Sequence, residues 1–186
     1  MKKIQIKISG PQLLMANPEK MVADAASSAK GKLSIRKQDY DAEADSLAYK
    51  LPTGELYIPA RALFKAIING ASYKKAGKYN LKAIIAAAVR IEPEQIALGT
   101  NKYEIDLRPV VIQSGMRKNR VIRARPLVRN WKATFQIVYN ENLITDADII
   151  KTCVQDAGER VGILEFSPRN YGPYGTFQID EFKVQK

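Results

Sequence analysis

The alternation of apolar and polar positions predicts β-strands at both ends and in the middle of the chain. Near the N-terminus, three isoleucines alternate with charged or polar residues over residues 3–8, which is typical of a strand with one buried face. The clearest alternation spans residues 131–139, where every second residue from Trp131 to Tyr139 is apolar. A last strand is predicted at about 176–184, and a shift of its apolar parity near Asp180 indicates a β-bulge.

A helical spacing of apolar residues predicts two helices. The first is expected at about 60–73 and the second at 145–158, where Gly158 would end it. The residues that would face the core are Leu63, Phe64, Ile67, Ile68 and Ala71 in the first helix and Ile149, Ile150, Cys153, Val154 and Ala157 in the second. The segment between them is ambiguous, because 81–88 fits a short helix and 87–92 fits a strand.

The order of these elements predicts the fold class α+β. Strands and two helices follow one another as in a ferredoxin-like (RRM-like) antiparallel sheet with both helices on one face. We expect one domain over residues 1–186, with a peripheral insertion at about 17–45 that includes the polar stretch 23–32. A thumb-like basic hairpin is predicted at about 104–129, with its tip at 114–119, and a glycine-rich loop precedes the last strand.

The composition excludes several classes of catalytic site. The 186 residues include no histidine and one cysteine, which rules out Ser-His-Asp and Cys-His nucleophiles, a histidine base and the common zinc sites. Cys153 lies on the apolar stripe of the second predicted helix and is expected to be a buried core thiol. A lone thiol favours a reducing cytoplasm. The N-terminus lacks the pattern of a signal peptide, and no stretch is apolar enough to span a membrane.

The charge of the chain is strongly positive and unevenly distributed. Lys and Arg number 30 against 19 Asp and Glu, and the formal net charge of +11 indicates an acidic partner, most commonly nucleic acid. Residues 107–140 contain no Asp or Glu. The cations of this stretch are Arg108, Arg117, Lys118, Arg120, Arg123, Arg125, Arg129 and Lys132. The alternative is a basic hairpin that has no function of its own or that docks on an acidic neighbouring subunit.

Two further segments contain candidate site residues. The C-terminal loop places Arg160, Arg169, Tyr171 and Tyr174 among glycines, which let a backbone approach phosphate closely while tyrosines stack on bases. The same loop is also compatible with a simple tight connection between helix and strand. The acidic segment at 39–45 could bind Mg²⁺ or supply acid and base groups, and a solvated loop explains it as well.

Two parts of the chain, the start of the first predicted helix and the C-terminal loop, carry sequence motifs that resemble those of a known family. Residues 57–67 run Tyr-Ile-Pro-Ala-Arg-Ala-Leu-Phe-Lys-Ala-Ile, and residues 158–177 are rich in glycine. They resemble the entry into the first helix and the C-terminal glycine-rich loop of the RAMP superfamily, which includes the backbone subunits of CRISPR effector complexes. Segments that also resemble small uncharacterised phage and prophage proteins lie at 123–126, at Trp131, at 161–163 and at 174–177.

The resemblance implies a ferredoxin-like protein that binds RNA or another single strand. Backbone-type members polymerise along a guide RNA and hold it with the first helix, a projecting thumb hairpin and the glycine-rich loop. Carried onto this chain, the contacts would be Arg61 and Lys65 on the helix, Arg117, Lys118 and Arg120 on the hairpin, and Arg169, Tyr171 and Tyr174 on the loop.

The sequence therefore predicts a non-catalytic protein that binds single-stranded RNA or DNA through phosphate contacts and stacking and assembles along it. No cofactor, metal or membrane is expected, and further copies of the chain or other subunits of a larger complex are the expected protein partners. The predicted nucleic-acid contacts are Arg61, Lys65, Arg108, Arg117, Lys118, Arg120, Arg123, Arg125, Arg129, Lys132, Arg160, Arg169, Tyr171 and Tyr174. The alternatives are a phage structural or interaction protein with a basic docking hairpin, and a metal-dependent nuclease that uses residues 39–45.

Overall fold

The computed structural model describes residues 1–18, 39–73, 75–76, 79–114 and 117–185, with the backbone alone at 75–76, 79–80, 112–114 and 117–119. In chain order the helices and strands are β1 (Lys2–Leu14), α1 (Tyr40–Leu47), β2 (Tyr57–Pro59), α2 (Ala60–Gly70), β3 (Lys75–Ala76), β4 (Tyr79–Asn80), α3 (Leu81–Ala88), β5 (Val89–Glu92), β6 (Gln95–Ala97), β7 (Glu104–Ser114), β8 (Arg117–Tyr139), α4 (Ala147–Asp156) and β9 (Gln178–Gln185). A short 3-10 turn, Ala71–Tyr73, extends α2, and another, Pro168–Asn170, lies in the glycine-rich loop.

The main sheet contains four antiparallel strands in the order β5-β8-β1-β9, and β7 pairs with the first half of the long strand β8. Of the two helices predicted from the sequence, α2 lies in the chain between β1 and β5, and α4 lies between β8 and β9. This is the β-α-β-β-α-β arrangement of a ferredoxin-like fold. The predicted fold class, α+β with an antiparallel sheet, is confirmed. None of the helices in the described ranges has the length and apolar content that a membrane crossing requires.

The core lies between one face of the sheet and the helices. Ile4, Ile6 and Ile8 of β1 are fully buried, and Ile6 lies opposite Phe135 of β8 in the sheet register. The apolar stripes of α2 and α4 pack in the same cluster, and Cys153 is a buried thiol as predicted. Removal of this apolar surface from water is the main stabilising contribution to the fold.

The backbone resolves one ambiguity of the sequence and confirms one prediction. Residues 81–92 form both of the predicted elements in succession, a helix over Leu81–Ala88 and a strand over Val89–Glu92. The predicted β-bulge at Asp180 is confirmed, because Lys7 lies opposite Glu181 while the next residue, Ile8, lies opposite Ile179.

The prediction for the second helix is wrong at both ends. The helix begins at Ala147, two residues after the predicted start at 145, and the carboxylate of Asp146 caps its N-terminus by accepting a hydrogen bond from the backbone N–H of Asp148. The chain does not leave the helix at Gly158 but continues through a wider π-type turn, Ala157–Val161. A Cβ atom at Gly158 would lie 2.1 Å from the carbonyl oxygen of Phe177. The glycine therefore serves a close approach of two backbones rather than a helix end.

Part of the acidic segment is helical. Asp39 caps α1 by accepting a hydrogen bond from the N–H of Ala42, and α1 buries Ala44 and Leu47 where it packs beside β8. The polar stretch 23–32 of the predicted insertion lies outside the described residues.

Candidate nucleic-acid interface

The sheet face opposite the helices is a surface of mixed charge. Lys7 pairs with Glu181 at 2.5 Å, and Lys3 pairs with Glu92 at 3.6 Å. The side chains that β1, β5, β8 and β9 direct to this face include no aromatic residue within the described part of the sheet. RRM domains stack bases on aromatic side chains of their sheet, so this face lacks the residues for that mode of binding.

One carboxylate on this face has a strongly shifted pKa. Glu181 accepts hydrogen bonds from Lys183 and from Lys7, which lower its pKa from 4.5 to about 2. Because the folded-state pKa lies below the unfolded value, the ionised group stabilises the fold above the unfolded pKa. This contribution is lost as the pH falls toward 2. We expect an NMR titration of the Glu181 carboxyl to show a midpoint of about 2 and Lys183→Ala to move it toward 4.5. The exposed Lys102→Ala is the control, and a wild-type midpoint near 4.5 would contradict the arrangement.

The hairpin formed by β7 and β8 has two faces of different composition. The strands pair from Glu104 opposite Leu127 to Ser114 opposite Arg117, beyond the central sheet. Asp106, Arg108, Arg123 and Arg125 share one face of this ladder. The opposite face carries the exposed apolar residues Leu107, Val111 and Ile122 together with the exposed Arg120. The predicted tip at 114–119 is described only in its backbone, with 115 and 116 outside the described residues, so Arg117 and Lys118 have no described side chains.

The base of the hairpin contacts the glycine-rich loop, residues 162–175. Arg108 donates hydrogen bonds to the carboxylate of Asp106 and to the hydroxyl of Tyr174, and its guanidinium lies 4.6 Å from the centre of the Tyr174 ring. The hydrogen bond to Asp106 is the main reason that the pKa of Arg108 is raised. Arg125 is 9% exposed and donates a hydrogen bond of 3.0 Å to Glu165 of the loop.

Three other predicted contacts also have acidic partners within the chain. The ion pairs are Arg123 with Glu43 at 2.9 Å, Arg129 with Glu104 at 2.7 Å and Arg160 with Asp156 at 3.2 Å. Arg160 also lies over the ring of Tyr73, at 5.0 Å from its centre. These contacts occupy part of the hydrogen-bonding capacity of each guanidinium, which has five N–H donors.

Carboxylates of the acidic segment, residues 39–45, also form contacts within the chain. Asp39 caps a helix, Glu43 pairs with Arg123, and Asp45 pairs with Lys50 and accepts a hydrogen bond of 2.8 Å from the hydroxyl of Tyr103. Burial, with that hydrogen bond second, raises the pKa of Tyr103 to about 12. Within the described ranges, no group of three or more acidic or cysteine side chains is placed to hold a metal ion.

A groove of about 410 Å³ lies between α2 and the glycine-rich loop. Lys65 and Asn69 line it from the helix, and Arg169 and Asn170 line it from the loop. Arg61, which is exposed, lies one helical turn before Lys65. The structure thus brings together cations that are about a hundred residues apart in the sequence.

The corner of the loop beside this groove presents an aromatic ring to solvent. Tyr171 is 100% exposed and has left-handed backbone angles, with φ of 59°. Its N–H donates to the carbonyl of Pro168 at 3.0 Å, and the N–H of Gly172 donates to the carbonyl of Ser167 at 3.0 Å. These bonds close a tight turn, so the exposed ring projects from an ordered backbone. Tyr174, in contrast, is 8% exposed and packs with Leu14 and Leu127.

The remaining predicted cation, Lys132, is exposed on the sheet face opposite the helices, across from Ser9. The sequence pattern does not single out Asn69 and Asn170, whose amides line the groove. Their side chains carry no charge, and only the folding of the loop against α2 places them beside Lys65. The one hint in the sequence is that Asn170 directly precedes Tyr171, which is a predicted contact.

Comparisons with known proteins bear on the fold. A scan against protein-family models and a search of curated proteins find no match. The structure is similar to a chain of the cryo-EM structure of type III-B Cmr-beta bound to cognate target RNA, with a TM-score of 0.58 and 14% sequence identity. The similarity covers 100% of this chain and 61% of that one, so this chain spans about three fifths of its length. This similarity supports the ferredoxin-like fold, whereas the resemblances to the RAMP superfamily and to phage and prophage proteins stay predictions.

Proposed function

We propose that this protein binds single-stranded RNA, without reading its sequence, in the groove between α2 and the glycine-rich loop. The observation that carries the proposal is the convergence of Lys65 and Arg169 on that groove beside the fully exposed ring of Tyr171. Lysine and arginine bind phosphate, and an exposed tyrosine stacks on an unpaired base of any identity. RNA is favoured over DNA because the similar Cmr-beta structure contains target RNA.

The charges at the groove support this assignment over the sheet face. Lys65 and Arg169 are exposed and form no ion pair with the residues that the structure describes. On the opposite face, Lys3, Lys7 and Lys183 already pair with carboxylates. A phosphate would therefore reach Lys65 and Arg169 without displacing an acid from either, and the carboxylate of Glu165, which also lines the groove, is paired with Arg125.

The test is a titration of binding against salt with a fluorescently labelled single-stranded RNA of about 20 nucleotides. Each phosphate contact with a single strand contributes about 0.7 to the slope of log K against log salt. Lys65→Ala/Arg169→Ala is therefore expected to weaken binding at least tenfold and to reduce the slope by about 1.4. Tyr171→Ala is expected to weaken binding at every salt concentration by about 5- to 100-fold, as loss of one stacked base does, with the slope unchanged.

The matched control is Arg90→Ala/Lys183→Ala, which removes the same charge from the opposite sheet face. If the control loses as much affinity as the groove variant, the interface lies on the sheet and the proposed site is wrong. Failure of the wild-type protein to bind single-stranded RNA at low salt would contradict the function itself. Equal affinity for duplex and single strand would contradict a role for Tyr171 in stacking. Assembly along the strand, also a prediction, would appear as a stoichiometry that rises with oligonucleotide length.

A further inference from the structure

The hairpin and the glycine-rich loop are joined by one arginine that contacts four groups at once. Arg108 projects from β7, donates to Asp106 on its own strand at 3.1 Å, and donates to the hydroxyl of Tyr174 in the loop. Its guanidinium lies 4.6 Å from the ring centre of Tyr174 and 5.3 Å from that of Phe166. Asp106 fixes the plane of the guanidinium, and both loop rings lie against it.

A second set of contacts connects the same two parts of the molecule. Arg125, which lies opposite Asp106 in the ladder of the hairpin, donates to Glu165 of the loop at 3.0 Å. Tyr174 also packs with Leu127 at the base of the hairpin and with Leu14 of β1 in a small buried cluster. The hairpin base is thus held by hydrogen bonds, ring contacts and apolar burial together.

The loop transmits this constraint because its backbone is closed on itself. The N–H of Tyr174 donates to the carbonyl of Phe166 at 3.0 Å, and the N–H of Glu165 donates to that of Leu14 at 3.2 Å. Arg169 and Tyr171 lie on the chain between Phe166 and Tyr174, which the first of these bonds joins. Their position therefore follows that of Tyr174 and Phe166.

We infer that Arg108 is a positioning residue, a latch that fixes the hairpin relative to the glycine-rich loop and so holds Arg169 and Tyr171 at the groove. In this role Arg108 acts through Tyr174 and Phe166 and does not bind phosphate, although the charge pattern of the sequence includes it among the cations of the hairpin. The consequence for RNA binding rests on the proposed function, whereas the coupling between hairpin and loop does not.

The coupling is tested by hydrogen exchange on the protein without RNA. Arg108→Ala is expected to accelerate exchange of the Glu165 and Tyr174 amides at least tenfold, while the amides of Ile4 and Ile6 in the core stay unchanged. The control is Arg129→Ala, which removes the same charge from the same hairpin but breaks only the pair with Glu104. Unchanged exchange at Glu165 and Tyr174 in Arg108→Ala would overturn the latch, whatever the RNA measurements show.

The RNA titration separates a latch from a direct contact and from a purely structural residue. A latch predicts that Arg108→Ala weakens binding at least fivefold and leaves the salt slope at the value of the wild-type protein. A slope lower by about 0.7 would identify Arg108 as a phosphate contact. Unchanged affinity would show that Arg108 has a structural role only. Either result would overturn the inference.

Arg108→Lys provides a second variant with its charge retained. Lysine keeps a cation for phosphate but loses the planar fork that binds Asp106 and lies against the rings. The latch therefore predicts that Arg108→Lys behaves like Arg108→Ala in both measurements, and a lysine that restores wild-type exchange and affinity would overturn it.

Discussion

Replacement of Phe135 by alanine is expected to lower the free energy of unfolding by about 3–5 kcal/mol, the usual cost of a cavity at a buried aromatic residue. Phe135 is 1% exposed and lies at the centre of the sheet, opposite the fully buried Ile6. Both α2 and α4 pack in the core cluster that contains it, so a cavity there removes contacts from sheet and helices at once. Urea unfolding followed by the fluorescence of the single tryptophan, Trp131, measures the effect.

Two variants keep this prediction testable. Phe135→Leu retains most of the volume and is expected to cost less than about 1.5 kcal/mol, which provides a measurement if the alanine variant does not fold. Thr134→Ala changes the neighbouring position, whose side chain is exposed on the opposite sheet face, and is expected to stay within about 0.5 kcal/mol of wild type. A cost of Phe135→Ala as small as that of Thr134→Ala would show that the sheet does not pack against the helices as described.

The pattern of apolar residues predicted the sheet and both core helices because these features depend on periodicities of two and 3.6 residues. The alternation over residues 131–139 is the buried half of β8, and the shift of parity near Asp180 is a true bulge. The same local reasoning failed at Gly158, because a glycine that ends a helix and a glycine that admits a neighbouring backbone look alike in sequence. Only the position of Phe177 decides between them.

Charge is the property that the sequence predicts least well. The stretch 107–140 contains no acidic residue, so along the chain its arginines look available for a nucleic-acid partner. In the fold, Arg123 meets Glu43 from the acidic segment and Arg125 meets Glu165 from the loop. A count of neighbours along the chain cannot detect partners 80 and 40 residues away. The cations at the groove, by contrast, come from two distant segments that each contribute only a few charges.

Replacement of Gly175 by alanine is expected to lower the free energy of unfolding by about 3 kcal/mol and to weaken the proposed RNA binding at least tenfold. Gly175 has a φ of 72°, which costs an L-residue roughly 1–2 kcal/mol, and a Cβ there would lie 1.9 Å from the carbonyl oxygen of Ile163. Relief of that clash separates Ile163 from Gly175 and breaks the 2.9 Å hydrogen bond between the Ile163 N–H and the Gly175 carbonyl, worth about another 1 kcal/mol. Arg169 and Tyr171 lie on the loop that this contact closes, so Arg169 would leave the groove and the ring of Tyr171 would move with it.

Gly54→Ala is the matched control, because Gly54 has a similar φ of 85° but a Cβ atom added there would meet no other atom within 4 Å. It is expected to cost only the backbone strain, roughly 1–2 kcal/mol, and to leave RNA affinity unchanged. Both variants share the backbone strain. The difference between their free energies of unfolding therefore measures the effect of the close approach at Gly175. If the two variants lose equal free energy of unfolding, or bind RNA with equal affinity in the salt titration, closure of the loop does not position the residues at the groove. If Gly175→Ala alone loses affinity while its far-ultraviolet circular dichroism stays native, the loss arises from the loop and not from unfolding.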